Sequence, residues 1–161
     1  MKKQPTSSNH AFLWLLLGAL IWIGLILCEP WLSEGTPTMK IWGMGITLFF
    51  SPTCHQHAGR CYTLASNALP VCARCFGLYA GFLLGTIVSG FMGTRAASPP
   101  SRRWLLALAL PMIFEFAMEK TGLMDGTRHM RAITGGLAGF IVPFYVLPAL
   151  NELFKRYKTR R

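Results

Sequence analysis

Four of the five cysteines in this 161-residue chain, Cys54, Cys61, Cys72 and Cys75, fall within 22 residues. Around them the sequence reads Cys54-His55-Gln56-His57, then Pro70-Val71-Cys72-Ala73-Arg74-Cys75. Thiolate and imidazole are preferred zinc ligands, and two cysteines two residues apart with a distant Cys-His pair can surround one tetrahedral ion. By type, the best quartet is Cys54, Cys72, Cys75 and either His55 or His57. A four-thiolate set with Cys61 is also open. Two other chemistries use the same sulfurs. A CxxC pair at a helix N-terminus suits a lowered thiol pKa, and Arg74 between the thiols favours thiolate, which would serve a thiol–quinone oxidoreductase. Two structural disulfides, Cys54–Cys61 and Cys72–Cys75, are the third reading.

A second constellation lies downstream. Glu115 and Glu119 are four residues apart, hence on one helix face. A carboxylate at hydrocarbon depth is expensive and faces a partner or a cavity. Arg128 and Arg131 are the nearest partners in sequence, and Arg131 is the expected one for Glu115. Together these residues predict either a plain salt bridge or a polar pocket beside the Cys/His centre. In such a pocket Arg60, Arg74 and Arg128 would bind an anionic group such as a phosphate or a quinone headgroup. Glu115, Glu119 and Arg131 would do the chemistry if the ion is catalytic, with a zinc-bound water attacking an ester or phosphate and a glutamate as base. Whether the ion is structural or catalytic stays open, as does a non-enzymatic role as a structural or partner-binding subunit.

The elements that must position these groups are read from composition and charge. The chain is 52% hydrophobic and 14% charged, against about 25% charged in soluble domains. Uncharged runs cover residues 11–28, 76–93 and 132–150, and a fourth apolar segment, 104–119, carries Glu115 and Glu119. About 20 residues of helix cross a hydrocarbon core. The expectation is a single all-α membrane domain over residues 1–161, with four spans at these positions and a Cys/His cap over 29–71 on the outer face. The apolar segment 39–50 would make only ~18 Å of helix, so it reads as interfacial or re-entrant. The first run lacks a small-residue cleavage site and reads as a retained anchor.

Ten of the sixteen Lys and Arg occupy three segments: Lys2 and Lys3; Arg95, Arg102 and Arg103; and Lys155, Arg156, Lys158, Arg160 and Arg161. With four spans all three lie on one side, which the positive-inside rule makes the cytoplasm. The net charge of +10 is then explained by topology and lipid headgroups, with no nucleic-acid partner needed. Membrane lipids are the expected surroundings, and no protein partner is indicated. Gly77, Gly81 and Gly85, like Gly135 and Gly139, recur every four residues and predict close helix packing. Several of the five tryptophans suit interface anchors. Pro143 and Pro148 predict kinks in the last span. No Ser-His-Asp set or phosphate loop is present.

The string CHQ, then Arg60, then LPVCARCFGLYAGFLLG, and later Arg131-Ala132-Ile133-Thr134-Gly135, resembles the bacterial membrane-protein family called domain of unknown function 2085. The resemblance implies a small multi-pass protein of a bacterial inner or plasma membrane, both termini cytoplasmic, with a Cys/His centre and no established reaction. Where the family pattern has Ser after the arginine, this chain has Cys61, which makes Cys61 a weaker candidate for a shared centre.

Overall fold

In a computed structural model, which describes residues 7–92 and 99–159, six α-helices and one β-hairpin follow one another along the chain. Helix α1 spans Ser7–Glu34 and is apolar for most of its length. It runs through Pro30 and on to Glu34, six residues past the expected end of the first span. Gly35 and Pro37 supply the stop and restart signals, and α2 (Pro37–Phe50) turns back against α1. Segment 39–50 is therefore the second arm of a helical hairpin. Glu29 is buried between the arms, where one carboxylate oxygen accepts hydrogen bonds from Ser33 Oγ (2.7 Å) and Thr47 Oγ1 (3.2 Å). A Cβ at Gly43 would come 2.9 Å from Ser33 Oγ, so glycine lets the arms meet there.

A short 3-10 turn (Ala58–Arg60) leads into β1 (Cys61–Leu64), which pairs antiparallel with β2 (Asn67–Cys72). The all-α expectation is corrected here. The hairpin turns on Ala65 and Ser66, both in the left-handed region at φ 48° and 63°. A two-residue loop with both residues left-handed matches the right-handed twist of paired strands.

Helix α3 (Ala73–Met92) starts directly after β2, three residues earlier than the expected second span. Helix α4 spans Arg102–Lys120. The last apolar run, 132–150, is divided between α5 (Arg128–Ile141) and α6 (Pro143–Thr159). They meet at Val142, because Pro143 has no N–H to continue the ladder and its ring crowds the preceding turn. Pro148 lies within α6. Among the described residues three helices are long and apolar enough to cross a membrane: His10–Glu34, Ala73–Met92 and Arg128–Phe154, the last running across the joint. Helix α4 falls outside this set, carrying Arg102, Arg103, Glu115, Glu119 and Lys120 in 19 residues. Gly93, Lys2, Lys3, Arg95, Arg160 and Arg161 lie outside the described residues. Trp14, Trp31, Trp42 and Trp104 are exposed on helix surfaces. Trp22 is the inward one, edge-on to Phe49, Phe50 and Tyr79 at 5.3–5.7 Å.

The closest packing joins α3 to α5, which run parallel. A Cβ on Gly77, Gly81 or Gly85 would fall on the backbone carbonyls of Ala132, Gly136 and Phe140. Reciprocally, a Cβ on Gly135 or Gly139 would fall on the carbonyls of Arg74 and Leu78. Backbone is against backbone, so no side chain can swing aside. Gly81→Ala is expected to force the helices apart and cost about 1–3 kcal/mol or more. Gly136→Ala should be nearly neutral, since its Cβ would meet Gly77 O at an ordinary 3.6 Å. Thermal unfolding in detergent checks the pair; equal midpoints would remove the interlock as the basis of α3–α5 packing.

Candidate metal centre

Three elements each deliver one thiol to the same place. Cys54 follows α2, where its N–H bonds to the carbonyl of the fully buried Phe50 at 3.0 Å. Cys72 ends β2, and Cys75 lies in the first turn of α3. The three Sγ atoms lie within 4.8 Å of one another. The backbone N–H of Cys72 donates to Cys54 Sγ at 3.1 Å. Behind the sulfurs Ile26, Phe50, Leu69 and Val71 form an apolar cluster with Trp22, Phe76 and Tyr79 packed against it. All five cysteines are free thiols. Hydrogen bonding from Cys54 and then Cys75 holds the Cys72 thiol well below the usual thiol range.

Cys61 stands apart from this trio although it is the cross-strand partner of Cys72. It is 1% exposed and directs its thiol to His57 O at 3.2 Å. Burial, then the neighbouring Cys54 and Cys72, pushes its pKa up to about 11, which makes it a poor thiolate. His55 and His57 are exposed, with rings 6.3 Å apart, and neither joins the three sulfurs. The residue between them, Gln56, was not assigned a role by the sequence. Its backbone is left-handed (φ 50°), and its amide donates to Thr47 O at 2.7 Å and Pro70 O at 2.8 Å. Gln56 thereby ties the Cys54 loop to both α2 and β2; its place inside CHQ was the available signal.

The trio opens onto a cleft of about 260 Å³, whose other lining includes His55, His57, Arg60, Arg74, Lys120 and Arg131. Beside it, α4 supplies the two carboxylates. Glu115 is 1% exposed. Its Oε2 accepts from Arg74 Nη2 at 2.6 Å and Nε at 3.2 Å, and Thr134 Oγ1 approaches at 3.4 Å. Glu119 takes Arg60 Nη2 at 2.7 Å, Arg131 Nη2 at 3.0 Å and Arg74 Nη2 at 3.1 Å. Arg131 stands 3.8 Å from Glu115, so its stronger partner is Glu119, and Arg74 takes the place expected of it at Glu115. Gly126 closes over the pair, with space for no Cβ: one would come 2.5 Å from Glu115 Oε1. Arg128 points elsewhere and donates to Gly59 O at 3.1 Å from an exposed position.

This difference gives a direct expectation. Arg131→Ala removes a buried guanidinium from two carboxylates and should cost about 3–5 kcal/mol, as broken buried pairs do. Arg128→Ala loses one exposed hydrogen bond and should cost about 1 kcal/mol or less. Thermal midpoints of the two variants in the same detergent decide it; an equal loss would mean that the charge cluster contributes nothing special.

Comparison with known proteins follows the same residues. The sequence profile of a family described as predicted membrane protein (DUF2085) matches residues 54–145, a stretch that begins at the first thiol and includes every residue of the charge cluster. The chain is also similar to an uncharacterized protein of Methanocaldococcus jannaschii, MJ1492, at 34% identity over 152 residues, covering 91% of this chain and 97% of that protein. No solved structure matches.

Proposed function

The chain belongs to the DUF2085 family of predicted membrane proteins, and from that premise we propose that its thiol trio holds one divalent metal ion at the membrane surface. The observation that carries this reading is the convergence of Cys54, Cys72 and Cys75 within 4.8 Å from three different elements. Tetrahedral zinc at ~2.3 Å from each sulfur needs sulfurs about 3.8 Å apart, a small contraction. The N–H of Cys72 on Cys54 Sγ favours thiolate there, which is the ligand form. Three thiolates suit zinc by softness. Three protein ligands with a fourth position toward a cleft is the arrangement of reactive zinc sites, whereas a fourth ligand from His55 or His57 would make the site closed and structural. When bound, the ion would supply Lewis acidity at that position. We assign Glu115 and Glu119 to holding the arginines, because guanidinium groups of Arg60, Arg74 and Arg131 already occupy both carboxylates.

Helix α4 completes a four-span count in this reading. Its 19 residues give ~28 Å, and its glutamates are neutralised inside the bundle. Arg102, Arg103 and Arg156 then occupy the helix ends opposite the thiols, which favours cytoplasmic termini and an outer-face metal centre. Reporter fusions at the C-terminus and within loop 94–103 should both read cytoplasmic. An external signal from either reverses the side on which the thiols face.

The test of the metal is elemental analysis of protein purified in detergent without chelator, beside a count of alkylatable thiols. About one zinc per chain with Cys54, Cys72 and Cys75 shielded supports the centre. A metal-free sample with a Cys72–Cys75 disulfide that dithiothreitol opens, and that turns over with added quinone, replaces it by the thiol–quinone oxidoreductase reading of the same sulfurs. A metal-free, inert sample leaves a structural or partner-binding subunit.

A further inference from the structure

The cleft beside the thiol trio has a charge pattern that the metal alone does not use. Four cations line it, Arg60, Arg74, Lys120 and Arg131. The two carboxylates that hold the guanidiniums, Glu115 and Glu119, are not among its lining residues. Acceptors therefore stand behind the arginines and donors stand in front. Arg60 uses only Nη2 on Glu119, while Arg74 and Arg131 use Nε and Nη2 on the carboxylates. In each case Nη1 is outside these bonds. Lys120 and Arg74 both stack near Phe116, with Nζ 5.7 Å and Cζ 5.3 Å from the ring centroid.

Four positive charges against two negative leave an excess of two. A divalent ion on three thiolates adds one negative charge, so the site stays positive by one, and this count rests on the metal reading above. The excess is carried by Arg60 and Lys120, whose exposed side chains line the cleft, so an anion that enters meets an attractive field without breaking an ion pair already made. The donors approach from the loop before β1, from α3, from α4 and from α5, so a planar carboxylate with two oxygens satisfies few of them. A tetrahedral oxyanion presents oxygens in several directions and matches guanidinium forks in two-point contact.

We propose that the cleft binds a phosphate group, held by Arg60, Arg131 and Lys120 against the metal-bearing wall, with Arg74 fixed behind by Glu115. The same chemistry is offered by a lipid headgroup and by free phosphate, and the two probes below separate them.

The experiment titrates metal-assayed, detergent-purified protein in a calorimeter with inorganic phosphate and with dihexanoyl phosphatidylglycerol. Wild type, Arg60→Gln and Lys120→Gln are compared. Both side chains are exposed, and Glu119 keeps Arg74 and Arg131 when Arg60 is replaced, so both variants should fold and keep the metal content of the wild type. The expected result is saturable binding by wild type, weakened about tenfold or more in each variant, as loss of a charge-assisted bond implies. Tighter binding of the short-chain lipid assigns the site to a headgroup; equal or tighter binding of inorganic phosphate assigns it to the free ion. No binding of either probe, or unchanged binding in both variants, overturns the phosphate site whatever the metal content. A metal-free preparation that still binds phosphate through Arg60 and Lys120 keeps the phosphate site and removes only the metal.

Discussion

Cys75→Ser is expected to strip the metal from the protein and, with it, most of the stability of the thiol end of the bundle. The serine hydroxyl is a hard, weakly acidic ligand and does not replace a thiolate on a soft site. The two sulfurs left, Cys54 and Cys72, cannot close a tetrahedral site. Apparent binding energies of structural zinc are roughly 10–16 kcal/mol, and that free energy is shared with folding, against a total stability of about 5–15 kcal/mol for a domain. The loss should therefore read as a large drop in the unfolding midpoint, reproduced in the wild type by chelator. Cys61→Ser is the control. Cys61 is buried beside the site, yet it is outside the trio and only donates to His57 O, a bond that a hydroxyl can also make. It should keep the metal and lose about 1 kcal/mol. Elemental analysis of both variants decides the matter. Full metal in Cys75→Ser, or equal loss in both, would sink the three-thiol centre.

Much of this end of the molecule was legible in the residue order, because the signals there are chemical. Soft-ligand spacing grouped Cys54, Cys72 and Cys75 with one of His55 and His57, and of that set the three sulfurs converge; the departure from the family pattern at Cys61 only weakened its place in a four-thiolate set. The four-residue glycine spacing marked the α3–α5 interlock, and the cost of charge in hydrocarbon marked Glu115 as inward-facing. What stayed hidden depends on backbone geometry and side-chain reach. The hairpin turns on Ala65 and Ser66, which carry none of the Asn-Gly or Asp-Gly pattern that announces such a turn. The uncharged run of the first span stops at Cys28, yet α1 continues through Glu29 and Pro30 to Glu34, since a buried, hydrogen-bonded carboxylate and a proline within a helix do not compel a stop. Arg74 lies between Cys72 and Cys75 in sequence. On a helix, however, neighbouring side chains leave in different directions, and its long side chain crosses to α4 rather than lying over the sulfurs. His55 and His57 flank a left-handed Gln56, a reversal that composition does not announce and that leaves both imidazoles on the cleft wall, away from the trio.

The charge cluster supplies the second large effect. Glu115→Ala should destabilise by about 3–5 kcal/mol, because it leaves Arg74 facing a cavity with Glu119 alone to balance three guanidiniums. Glu115→Gln should cost clearly less. Its carbonyl oxygen can occupy the Oε2 position and accept from Arg74 Nε and Nη2. Its amide nitrogen then takes the Oε1 position, where the carboxylate oxygen makes no hydrogen bond and only the 3.8 Å ion pair with Arg131 Nε is lost. The charge is still gone, so the variant does not match the wild type. The contrast carries information about role. A group that moves protons loses function alike in both variants, since neither alanine nor glutamine titrates, whereas a group that positions arginines is largely rescued by the isosteric amide. The paired readouts are the unfolding midpoint and the affinity for inorganic phosphate. Graded losses in both, alanine worse than glutamine, with metal content unchanged, support positioning. Equal losses in the two variants would mean that the negative charge or proton of Glu115, and not its grip on Arg74, is what the cleft requires.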